Sequence, residues 1–140
     1  MEARLTFQVD SGAMQQVRGF VIDFVTRHAV ASEEQSRILI VLEELLTNLA
    51  KYGYPNRKSG SAEVVLQLDG TRLAIEFADD GDPFDPLRGP PPNLDVPLGE
   101  RDLGGLGILI VRALADEARY CRVDERNVLQ LTRRVVLIKS

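Results

Sequence analysis

Cysteine is almost absent from this chain: Cys121 is the only one in 140 residues. A single thiol excludes an internal disulfide and a thiolate metal cluster. Its strand-like setting predicts a buried, reduced side chain. Basic charge is also scarce. Lys and Arg number 17 against 21 Asp and Glu, a net charge of -4, whereas binding a phosphate backbone calls for a basic surface. Arg57-Lys58 is only a short basic patch beside a turn, so direct nucleic-acid binding is not expected. No apolar run approaches the roughly 20 residues needed to span a bilayer. No basic-then-apolar leader opens the chain, so no membrane association is expected either. Histidine occurs once, as His28 near a helix end, where a capping or surface role is expected. These absences fit a cytoplasmic bacterial-type enzyme or regulator.

What is present is the making of one globular domain over 1–140. Hydrophobic residues are 44% and charged residues 27% of the chain, enough for a single core at this length. Residues 3–9 alternate as a strand, with Leu5, Phe7 and Val9 on one face. Asp10 or Ser11 is placed to cap a helix over about 12–28, whose apolar stripe is Met14, Val17, Val21, Phe24 and Val25. Ser32 to Gln35 has capping-box spacing and starts a second helix of about twenty residues that ends near Gly53-Tyr54-Pro55. Strands over 62–68 and 73–78 meet at Asp69-Gly70, a hairpin signal.

Residues 79–103 then break all periodicity, with six of the seven prolines. Segments of this length and kind are usually lids or binding loops. Helical spacing resumes over Gly104–Asp116, and a last hairpin, 118–123 and 128–136, turns at Asp124–Asn127. The order β-α-α-β-β-loop-α-β-β predicts an α+β, two-layer sandwich, with helices on one face of a largely antiparallel sheet.

Three segments carry candidate chemistry. On the second helix, at roughly 100° per residue, Arg37, Glu44, Asn48 and Lys51 share a narrow stripe with Thr47 at its edge. Leu42, Leu45, Leu46 and Leu49 fill the opposite side, and Ile40 and Val41 flank the stripe. Either these polar groups satisfy one another through i,i+4 contacts, or they wall a small polar pocket. Next, Asp79-Asp80-Gly81-Asp82-Pro83-Phe84-Asp85-Pro86 sets an acid at a strand end, followed by a glycine that lets the backbone turn beside a ligand. Such an acid can accept from an exocyclic amine, as on adenine. An ordinary Asp-Gly turn is the simpler reading, and the oxygen spacing does not follow a calcium loop. Last, Gly104-Gly105-Leu106-Gly107 opens a helix where backbone N–H groups can approach a phosphate. It is neither the dinucleotide fingerprint nor a Gly-Lys-Ser/Thr phosphate loop.

In this order, Glu-x-x-x-Asn on a helix, Asp-x-Gly at a strand end, a lid over about 80–103 and Gly-x-Gly opening a helix, the three segments resemble the GHKL (Bergerat) ATP-binding fold across nearly the whole chain. Glu44-Leu45-Leu46-Thr47-Asn48, Pro83-Phe84-Asp85-Pro86 and Gly104-Gly105-Leu106-Gly107-Ile108 look like the anti-sigma factor serine kinases within it. The resemblance implies ATP and Mg2+ as cofactors. It implies Asn48 as magnesium ligand, Glu44 as catalytic base, Asp79 as reader of adenine and Gly81 as the turn beneath the base. Gly104, Gly105, Leu106 and Gly107 become the phosphate loop, with Lys51 near the phosphates. Glu43 points off the stripe by about a quarter turn and is not given that role. Three departures stand out: Tyr52 where many relatives have histidine, Pro83 where a glycine is usual, and no clear arginine for the γ-phosphate, Arg101 being displaced.

The implied function is an anti-sigma factor that phosphorylates a serine of a STAS-type antagonist, with a sigma factor and a second copy of the chain as further partners. A nucleotide-gated anti-sigma module without useful kinase activity is the alternative. The ATP-binding part of a histidine kinase fits less well, because no dimerisation helix with a phosphorylatable histidine precedes the domain. The long two-domain ATPases of the superfamily are set aside on length.

Overall fold

The structure is a computed structural model and describes residues 1–56, 60–87 and 110–138. Its elements are β1 (Glu2–Gln8), α1 (Ala13–Arg27), α2 (Ser32–Tyr52), β2 (Ser61–Asp69), β3 (Arg72–Asp79), β4 (Glu117–Val123) and β5 (Arg126–Arg134). The five strands form one sheet in the order β1-β2-β3-β5-β4, and every neighbouring pair is antiparallel. The expected α+β sandwich is what forms.

Period-two alternation decides which side of the sheet is covered. Register aligns Leu5, Val64, Phe77, Leu129 and Tyr120 in one row across all five strands. The next row along is Ala3, Leu66, Ile75, Leu131 and Ala118. On this side lie the helices, and the core joins Val17, Val21 and Phe24 of α1 and Ile38, Leu42 and Leu45 of α2 to those rows. Each fully buried side chain of this kind contributes about 1.5–3 kcal/mol, and truncating Leu42 to alanine would cost about 2–5 kcal/mol. The opposite side carries Arg4 paired with Glu63 at 3.1 Å and Gln130 donating to Glu76 at 3.0 Å.

Several local expectations are corrected. The side chains of Asp10 and Ser11 do not cap α1, whose N-cap is Gly12 with no side-chain bond. Asp10 instead accepts from the Gly12 N–H at 2.9 Å and shapes the turn into the helix. The capping box of α2 does not form either: Ala31 is the N-cap, and Ser32 is already inside the helix. Glu34, one of the acids in its first turn, is drawn down to the sheet instead. Cys121 is exposed, not buried, because β4 is an edge strand and Cys121 alternates away from the Tyr120 row.

The last hairpin is tighter than expected. Asp124 and Glu125 both adopt left-handed backbone, with φ of 51° and 64°, and Val123 pairs directly with Arg126. A two-residue turn with positive φ matches the twist of the flanking strands. Asn127 therefore belongs to β5, not to the turn. Of the predicted helix over 104–116, residues 110–114 are described and helical, with Val111 buried. Among the described residues, no helix is long and apolar enough to cross a membrane.

Candidate functional site

The C-terminal end of α2 meets the turn that follows β3. Gly53 caps α2, its N–H reaching the Leu49 carbonyl at 2.8 Å. Its own carbonyl accepts from the Asp82 N–H at 2.9 Å. A Cβ at Gly53 would lie 2.6 Å from Leu49 Cδ1, and one at Gly81 would lie 3.1 Å from Asp79 Oδ1, from the Gly53 carbonyl and from Leu49 Cδ1. Glycine at both positions is what lets the two backbones approach. The contact closes one end of a cleft of about 420 Å³, counting its open mouth. Leu45 and Leu49 of α2 face Phe77 and Leu129 of the sheet across it, with Tyr52 and Phe84 at 6.2 Å in a stacked pair.

Asp79, the last residue of β3, stands buried in this cleft. Register pairs it with Ala62 on one side and Asn127 on the other. Its Oδ1 accepts from the Gly81 N–H at 2.9 Å and from Asn127 Nδ2 at 2.9 Å. Burial raises the affinity of Asp79 for its proton; the bonds from Asn127 and Gly81 oppose that rise, Asp80 adds to it and Arg122 works against it. Asp80 does a different job, accepting at Oδ1 from Tyr54 Oη at 2.8 Å and from the Ser61 N–H at 3.1 Å. One acid of the Asp-Asp pair ties down the sheet end, while the other serves the cleft.

On the helix side, Asn48 is buried and lines the cleft. Glu44 lies one turn earlier, half-buried and outside the lining. Desolvation, then the neighbouring charge of Glu43, raises its pKa. Lys51 is exposed, with Nζ 5.2 Å from the centre of the Tyr52 ring. Arg37 lies near the N-terminal end of α2, bonded to Glu34 at 2.7 Å. The polar stripe thus does not gather into one pocket, and of its members only Asn48 lines the cleft. Gly104, Gly105, Leu106, Gly107 and Arg101 lie outside the described residues. Of the lid segment, residues 80–87 are described; Arg112 donates to the Leu87 carbonyl and ties its near end to the 110–114 helix.

Asn127 is the site residue that sequence reasoning missed. Assigned to a turn, it carried no role, although 127, 129 and 131 form an inward alternation and an amide at such a position is out of place in a core strand. Glu34 was likewise missed. It is 1% exposed and accepts from Arg133 Nε at 2.9 Å as well as from Arg37. Arg133 also donates to the Leu114 carbonyl at 2.6 Å.

The apolar slot with one buried acid, Asp79, suits a flat heteroaromatic base bearing an amino group, and Asn48 supplies an amide oxygen from the helix side. Among the described residues, no cluster of three His, Cys, Asp or Glu could hold a metal by itself. A magnesium ion held mainly by ligand phosphates and water, with one protein donor, fits that donor set.

Residues 7–133 match the histidine kinase-like ATPase domain, and the chain belongs to that family. Among solved structures it is similar to the RsbU and RsbW domains of Rv1364c from Mycobacterium tuberculosis, with a TM-score of 0.69 and 18% identity over 96% of this chain and 32% of that one. It is also similar to the blue-light activated histidine kinase EL346 of Erythrobacter litoralis, with a TM-score of 0.54 and 22% identity, covering 89% of this chain and 41% of that one. The Acinetobacter baumannii histidine kinase AdeS has a TM-score of 0.50 at 15% identity over 93% of this chain and 67% of AdeS. The chain thus spans less than half the length of the first two. At these identities the likeness is one of fold. No curated protein matches the chain.

Proposed function

We propose that the cleft binds ATP with magnesium, and that the protein is an anti-sigma factor and protein serine kinase acting on a STAS-type antagonist in the cytoplasm. The observation that carries the nucleotide reading is the pairing, across one apolar slot, of buried Asp79 at the base end with buried Asn48 on α2. The partner reading rests on the motif resemblance around Glu44, Pro83–Pro86 and Gly104–Ile108. It includes a sigma factor and a second copy of the chain as partners.

In this reading Asp79 accepts from the base amine, and Leu45, Leu49, Phe77 and Leu129 exclude water from the base faces. Asn48 would hold the magnesium ion, which neutralises phosphate charge when bound. Phosphoryl transfer depends chiefly on positioning and charge neutralisation. Glu44 has the remaining task of accepting the proton of the antagonist's serine hydroxyl. Its raised pKa makes it a better acceptor than an ordinary glutamate. Transfer should therefore fall away as the pH drops through that raised value and the carboxylate becomes protonated.

The test is incubation of the pure protein with ATP, magnesium and candidate antagonists, followed by phosphosite mapping. Glu44→Gln is expected to slow transfer by about 10²-fold or more, the usual range for a general base. Transfer at the parent rate would remove Glu44 from that role. One observation favours a second reading, a nucleotide-gated anti-sigma module without useful turnover: Glu44 does not line the cleft. Nucleotide binding with no phosphate appearing on any antagonist would select it.

A further inference from the structure

Asn127 is buried on β5, and four bonds of its amide are within 3.2 Å. Its Nδ2 donates to Asp79 Oδ1 and to the Asp82 carbonyl, both at 2.9 Å. Its Oδ1 accepts from Tyr120 Oη at 2.6 Å and from the Phe84 N–H at 3.2 Å. The orientation of this amide is forced. The Asp82 carbonyl can only accept and the Phe84 N–H can only donate, so a flipped amide would lose both. Arg122 Nη1 adds a bond to the Gly81 carbonyl at 2.8 Å. One side chain thus joins the base-end acid to the 81–84 backbone that forms its surround.

We propose that Asn127 is the positioning residue that makes this cleft choose 6-amino over 6-oxo purine nucleotides. The inference rests on the nucleotide reading above and adds what sets its base selectivity. With Oδ1 occupied by two N–H donors and no bond to Oδ2 among the described residues, Asp79 is held as an acceptor whose second oxygen is left for the base. An ionised carboxylate accepts from the amine of adenine and opposes the carbonyl of hypoxanthine or guanine. A protonated carboxyl could instead donate to that carbonyl. Burial pushes Asp79 towards the protonated form, and the Asn127 bond is the first of the contacts that resist it. Without Asn127 the acid loses both its orientation and part of its bias to stay ionised.

Calorimetric binding of ADP and IDP, which differ at position 6 of the base, tests this with the parent chain and its variants in magnesium buffer. The parent is expected to prefer ADP by roughly a hundredfold or more, since a site built to bond a group rejects the analogue lacking it. Asn127→Ala and Asn127→Asp should lower that preference by about tenfold, the scale of one buried bond to a charged group. ADP should lose more affinity than IDP. A purely structural role would weaken both nucleotides by the same factor, and an unchanged ratio in folded variants overturns the proposal. Tyr120→Phe keeps the reading testable if both Asn127 variants fail to fold. Loss of its hydroxyl should lower the ratio by about twofold to fivefold, on the scale of one neutral hydrogen bond, and an unchanged ratio there overturns the proposal. A parent that binds ADP and IDP equally overturns it while leaving a nucleotide site standing. A parent that binds neither sinks both readings.

Discussion

Two buried polar clusters flank α2, and they are built on opposite plans. Near the N-terminal end, Glu34 is held by Arg37 and Arg133, and Arg133 is held in turn by the Leu114 carbonyl. Charge answers charge, and the group serves to join α2, β5 and the 110–114 helix. Beside the C-terminal half, no such cation bonds Asp79 among the described residues. Neutral N–H donors hold one of its oxygens, and the residue lines a cleft. A buried acid neutralised by its own chain acts as a structural tie. A buried acid hydrogen-bonded only to neutral donors keeps capacity for a ligand, and it carries a standing cost in stability.

The largest expected effect comes from breaking the closed cluster. Glu34→Ala leaves the partly buried Arg133 without its counter-charge and should cost about 3 kcal/mol of stability, the low end for a buried pair, read by urea denaturation. The ADP-to-IDP preference of the folded fraction should not move. A loss under about 1 kcal/mol would mean that solvent screens the pair as it does at a surface, and the contrast between the clusters would fail.

Asp79→Asn probes the open cluster with the opposite pattern. The new amide can still accept from Gly81 and Asn127, but it faces the base without a charge. ADP affinity should drop by about a hundredfold, as expected when a charged hydrogen bond is removed, with no loss of stability. A variant that unfolds at neutral pH would show that Asp79 is a structural tie after all. Gly81→Ala comes next: its added Cβ has neighbours at 3.1 Å on three sides. A destabilisation of about 1–3 kcal/mol, typical of overpacking, should accompany weaker ADP binding. Parent-like melting would mean that the turn shifts freely away from Leu49.

The smallest effect is in the pH dependence. Because the folded chain raises the pKa of Asp79, its protonated form is the one that folding favours. That contribution is complete below the ordinary aspartate pKa and is lost as pH rises through the raised value. Across that window the parent should lose stability relative to Asp79→Asn. Parallel curves for the two proteins would mean that the donors from Asn127 and Gly81 fully offset burial.

Much of this was legible in one dimension because it depends on periodicity. The stripe of α1, the leucines of α2 and the alternation of β2 and β3 each specify an element and its buried face, and the elements fell within a few residues of expectation. Asp79-Asp80-Gly81 was recognisable as a strand end followed by a turn, since acid and glycine are neighbours in sequence. Local signals failed where tertiary partners outbid them. Ser32 to Gln35 reads as a capping box, but Glu34 is claimed by Arg133, 99 residues away. Cys121 sits in a strand, but only pairing order reveals that the strand is at an edge.

Sequence alone determined the order of elements, the apolar face of each and the small set of polar residues set against that pattern, because side-chain period follows directly from backbone geometry. It did not determine which of those polar residues would meet. That was decided by the β3–β5 register, which puts Asn127 opposite Asp79, and by the left-handed turn at Asp124-Glu125, which moves Asn127 out of the loop and into the strand. Burial did the rest: it distinguishes Asn48 from Glu44 and Asp79 from Asp80, pairs that look alike in sequence and differ only in what the folded chain packs around them.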